Sequence, residues 1–99
     1  MTHAIRITLL AVLALSAACS SDTPDSGCAQ TCEAQTEQGC NLLSTADCTE
    51  LCEMIFDAAS DDCQQALADK SACMLEQPDI CNLGTACDAE DQAVDRACN

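Results

Sequence analysis

Apolar positions follow two regimes along this chain. Residues 7–15 form a nearly continuous apolar stretch, ITLLAVLAL, broken only by Thr8. Beyond Gly27 the apolar residues recur every three or four positions, the period of a helix with one buried face, and no run alternates with period two. A first helix is expected over residues 29–38, ended by Gly39, a residue suited to a C-terminal cap. A second opens at Ser44-Thr45-Ala46-Asp47, where a hydroxyl cap precedes an acid by three positions; its apolar stripe is Cys48, Leu51, Cys52, Ile55 and Ala59. Ser60-Asp61-Asp62 starts a third, with the acids placed favourably for the helix dipole. That helix carries Cys63, Ala66, Leu67, Cys73 and Met74 on one side and stops at Pro78. A loop from Asp79 to Gly84 leads to a last helix started by Thr85, with Asp88 three residues on. Its inner side is Cys87, Glu90, Ala93, Val94 and Cys98, Glu90 standing at the rim. The expected architecture over residues 28–99 is all-α, a small disulfide-stapled bundle of about four short helices arranged as two helical hairpins.

The cysteines decide what holds such a bundle together. There are eleven in 99 residues, beside a single aromatic, Phe56. Large apolar residues are too few for the domain to rest on an oily core, and small exported domains in that position use disulfides. Setting Cys19 aside leaves ten cysteines, enough for five bridges. Cys28/Cys32 and Cys48/Cys52 are two Cys-x-x-x-Cys pairs, and positions i and i+4 share one helix face. On antiparallel helices they meet as rungs, Cys28 with Cys52 and Cys32 with Cys48. The same register joins Cys63 to Cys98 and Cys73 to Cys87, and leaves the loop residues Cys40 and Cys81 for each other. Ten cysteines allow roughly 945 connectivities by simple counting, so the register argument selects one pattern among many. The twin motif from Cys28 to Cys52 is similar to that of helical-hairpin chaperones of the mitochondrial intermembrane space. Those proteins lack a cleaved export signal and the remaining cysteines, so the similarity reads as convergent geometry.

The N-terminus reads as an export signal: Arg6 and the amino terminus supply positive charge, the apolar stretch follows, and Ser16, Ala17 and Ala18 provide a small-residue exit. The stretch is shorter than the roughly 20 apolar residues that span a bilayer as a helix. Ser16-Ala17-Ala18-Cys19 resembles the lipobox of bacterial lipoproteins, and the whole chain is similar to small cysteine-rich members of that group, whose activity is generally unassigned. The match holds at the two residues before Cys19 and departs at Ser16, where the pattern has Leu; Leu15 lies one residue too early. The resemblance implies a signal over residues 1–18, a lipid-bearing Cys19, and residues 19–27 as lipid-attachment cysteine and flexible tether. It implies a membrane partner through the lipid anchor, a bacterial envelope location, and, with Ser20 after the cysteine, the outer membrane. Ser16 and Ala18 also suit ordinary signal cleavage, which would release a freely secreted effector or inhibitor.

Charge narrows the functions further. All seventeen carboxylates lie after Ala18 and face only Lys70 and Arg96, a net charge of −15 for residues 19–99. Nucleic acid and anionic lipid surfaces repel such a chain, whereas a solvated acidic surface or a basic protein partner suits it. The only histidine, His3, falls within the signal, so histidine-based nucleophile–base pairs are excluded from residues 19–99 and no catalytic residue is expected. A thiolate metal carrier is the least favoured reading, because metal sites favour Cys-x-x-Cys and Cys-x-Cys spacings that do not occur here. No metal ligand and no cofactor are expected. The reading is a non-catalytic, lipid-anchored envelope protein displaying an acidic helical domain in a structural or binding role.

Overall fold

The computed structural model describes residues 23–99; the expected signal and Cys19 lie outside the described residues. Four helices follow in order: α1 (Cys28–Gln38), α2 (Thr45–Ala58), α3 (Asp61–Glu76) and α4 (Asp88–Cys98), with no strand among the described residues. The fold is the expected all-α bundle of two hairpins, α1–α2 and α3–α4. α3 is its centre, touching all three other helices, whereas α4 rests on α3 alone.

Local chemistry sets most boundaries. Gly39 ends α1 in the left-handed region (φ 84°), and its neighbour Cys40 donates its N–H to the Gln35 carbonyl at 3.0 Å, closing a Schellman-type cap. Ser44 caps α2 by accepting from the Asp47 N–H (3.1 Å), and Ser60 caps α3 by accepting from the Cys63 N–H (3.3 Å). Asp61 and Asp62 occupy the first turn of α3. The last helix begins later than expected. Thr85 does not cap it; residues 83–87 form turns, with Ala86 N–H on the Leu83 carbonyl and Asp88 N–H on the Thr85 carbonyl. Cys87 takes the cap position without a side-chain bond to the helix, because its sulfur is committed to Cys73.

The segment expected as a tether is anchored at its C-terminal end. Ser26 is 8% exposed; its hydroxyl donates to Glu53 Oε1 on α2 at 2.6 Å and accepts the Cys28 N–H at 3.2 Å. Asp25 accepts the Gly27 N–H. Gly27 takes φ 70°, and a Cβ there would stand 2.8 Å from Ser71 Cβ on α3. The chain therefore enters the bundle wedged between α2 and α3. No apolar residue docks it; hydrogen bonds and close backbone approach do.

Burial falls largely on sulfur. Cys28, Cys32, Cys63 and Cys87 are buried beside Phe56, Ala66 and Ile80. Ile80 closes one end of the bundle, its N–H donating to Gln38 Oε1 of α1 at 2.9 Å. The apolar stripe expected for α2 is turned inward only in part. The buried residue of α2 is Phe56, which lies outside that stripe, while Leu51 and Ile55 are 50% and 58% exposed. The rungs between α1 and α2 hold Cα atoms 5.7 and 5.8 Å apart, too close for leucine side chains to enter between the helices.

Candidate functional site

All ten cysteines among the described residues are paired: Cys28–Cys52, Cys32–Cys48, Cys40–Cys81, Cys63–Cys98 and Cys73–Cys87. These are the pairs that the helical register selects. Two staple α1 to α2, and two staple α3 to α4 and its approach. Cys40–Cys81 is the single disulfide joining one hairpin to the other. Such a set belongs to an oxidising compartment, the setting of exported proteins. No helix among the described residues is long and apolar enough to cross a membrane.

The helices α1, α2 and α3 leave an open groove of about 330 Å³ between them. That is at the small end of ligand clefts, which span roughly 300–1,000 Å³. Its floor is sulfur and aromatic: Cys28, Cys32, Cys48, Cys52 and Phe56. Leu43, Leu51 and Ile55 form one wall, Leu67 and Met74 the other, with Ser26, Gln35, Lys70 and Ser71 along the margins. Thr31 adds a hydroxyl that is buried and finds no hydrogen-bond partner among the described residues. No lining residue carries a carboxylate. The one cation, Lys70, is engaged by Asp91 of α4 at 2.7 Å, with both side chains partly exposed.

The groove escapes a reading of apolar spacing, because spacing says which residues are apolar and not whether a neighbour covers them. Leu51 and Ile55 on the α2 stripe, and Leu67 and Met74 on the α3 stripe, carried the available signal; Leu43 and the tertiary partnership of Ser26 with Glu53 gave none.

One cluster has the composition of a metal site. Cys73 Sγ, Cys87 Sγ and a Glu90 carboxylate oxygen lie within 4.8 Å of one another. The two sulfurs are bonded to each other, and a disulfide sulfur is not the thiolate that metal ligation requires. As oxidised, this cluster offers a single charged donor.

Fold and groove together define a small, acidic, disulfide-stapled helical domain with an open apolar trough between α1, α2 and α3. Comparison of the chain with known family models, with curated proteins and with solved structures gave no match.

Proposed function

We propose that this protein is a non-catalytic, lipid-anchored component of the bacterial cell envelope, displaying its stapled helical domain for a structural or binding role. The observation that carries the reading is the cysteine arithmetic: ten of eleven close on one another within the bundle, leaving Cys19. That residue follows a small-residue exit resembling a lipobox, and a thioether-linked lipid is the chemistry which uses such a cysteine. More than one acyl chain on Cys19 would give stable residence. Ser20 fits sorting to the outer membrane. The domain's surface supports binding rather than catalysis, since the groove is lined by apolar side chains and its one charged group is already paired.

Cells producing the protein and fed labelled palmitate are expected to incorporate the label, and Cys19→Ala to abolish it; a labelled Cys19→Ala protein overturns the anchor. Ser16, standing where the lipobox has Leu, favours a second reading, cleavage after Ala18 and secretion. Intact mass of the unreduced product separates the two, because acylation adds a hydrophobic mass to Cys19 and secretion leaves its thiol unacylated. The same spectrum counts disulfides, and free thiols with bound metal would instead favour the thiolate carrier.

A further inference from the structure

We infer that the groove between α1, α2 and α3 is a docking site for a cationic amphipathic helix of another protein. The inference rests on the binding role proposed above and gives it a place and a partner class.

Three features of the groove converge on this occupant. First, one wall is made of side chains that remain solvent-exposed, Leu43 at 45%, Leu51 at 50% and Ile55 at 58%, and it faces the half-buried Leu67 and Met74. An apolar trough with an exposed wall is what an amphipathic helix lays its apolar face into, through anchors spaced three and four apart. Second, the α2 rim is acidic. Asp47, Glu50 and Asp57 are exposed on the outer side of α2, beyond the wall formed by Leu51 and Ile55. Lysine or arginine flanking the apolar face of a docked helix would meet these carboxylates. Third, the only cation at the groove is neutralised by Asp91, so nothing there repels a basic partner. The net charge of −15 over residues 19–99 adds long-range steering toward cationic surfaces. It also opposes the obvious competitor, a second copy of this chain, whose acidic rim would be pressed against an identical one.

The test uses the oxidised protein recovered from exporting cells and a fluorescent 18-residue peptide of leucine and lysine, patterned as an amphipathic helix. Fluorescence anisotropy is expected to show binding that weakens as NaCl is raised. A scrambled peptide of the same composition, and a leucine–glutamate counterpart, are expected to bind at least about tenfold more weakly, since each removes one of the two complementarities. Leu51→Glu and Leu42→Glu add the same charge, but Leu42 is fully exposed and does not line the groove. Leu51→Glu is expected to weaken binding at least about tenfold, although it makes the protein more attractive to a cation, and Leu42→Glu to leave it unweakened. D47N/E50Q is expected to lower affinity roughly a few-fold and to flatten the salt dependence. Unreduced mass and far-UV circular dichroism confirm that each variant keeps five disulfides and its helices.

The proposal is overturned by equal binding of the scrambled or acidic peptide, or by equal effects of Leu51→Glu and Leu42→Glu. Displacement of the peptide by palmitate at stoichiometric concentration assigns the groove to an acyl chain instead. Sedimentation showing a dimer that Leu51→Glu dissolves assigns it to a second copy. Cys19→Ala protein, run in parallel, is expected to bind the peptide unchanged, so failure of the anchor and failure of the groove give different results.

Discussion

Two glycines with the same backbone handedness should respond very differently to a methyl group. Gly27 (φ 70°) and Gly39 (φ 84°) both sit in the region that costs other residues about 1–2 kcal/mol. Around Gly39 nothing stands within 4 Å of an added Cβ, whereas at Gly27 the added atom meets Ser71 Cβ at 2.8 Å. Gly39→Ala is expected to cost about 1 kcal/mol and Gly27→Ala about 3 kcal/mol, overpacking adding to backbone strain. Denaturant unfolding with the disulfides intact measures both. Beside Gly27, Ser26 gives its hydroxyl proton to Glu53 and receives the Cys28 N–H. Ser26→Ala removes both bonds, and the same titration should register a loss of roughly 1–2 kcal/mol.

At the scale of elements, each hairpin carries its own two disulfides, and Cys40–Cys81 is the lone covalent link between them, across a sequence separation of 41. By the loop-entropy argument that bridge contributes about 4 kcal/mol. Replacing both residues by serine is expected to lower the unfolding midpoint while leaving the other four disulfides formed, which peptide mapping under non-reducing conditions would verify. The helices and their pairing were legible in the sequence wherever the signal is local. Serines 44 and 60 carry cap chemistry, Gly39 carries a stop, and the four-residue spacing of Cys28/Cys32 and Cys48/Cys52 fixes the facing sides of α1 and α2. Thr85 misleads because its spacing to Asp88 imitates a cap while Cys87 is held by Cys73. Leu51 and Ile55 mislead for a different reason. Sulfur bridges draw α1 and α2 together and leave no room between them for Leu51 and Ile55, so side chains that would ordinarily be core become the wall of a groove. The Ser26–Glu53 bond joins residues 27 positions apart, and no local pattern announces such a pair.

For the molecule as a whole, the scarcity of large buried side chains makes the few that exist costly to lose. Phe56, the sole aromatic, is 4% exposed at the meeting of α2 with α3, where its carbonyl also accepts from Gln64 Nε2. Phe56→Ala is expected to cost about 3–5 kcal/mol, read from the same denaturant curves. Full reduction should do more: far-UV circular dichroism is expected to lose most of its helical signal, and a reduced protein that keeps it would show that the apolar interior suffices alone. The connectivity has a further consequence for survival among proteases. Every loop between helices is spanned by at least one cystine, so a single cut by a protease in any of them leaves both pieces joined. Trypsin can cleave the described chain only after Lys70 and Arg96, and neither cut frees a fragment, because Cys40–Cys81 and Cys63–Cys98 bridge the first and Cys63–Cys98 the second. A nicked molecule would therefore gain only the mass of the added water and still hold its parts in place, a form of durability that owes nothing to how rarely the fold opens.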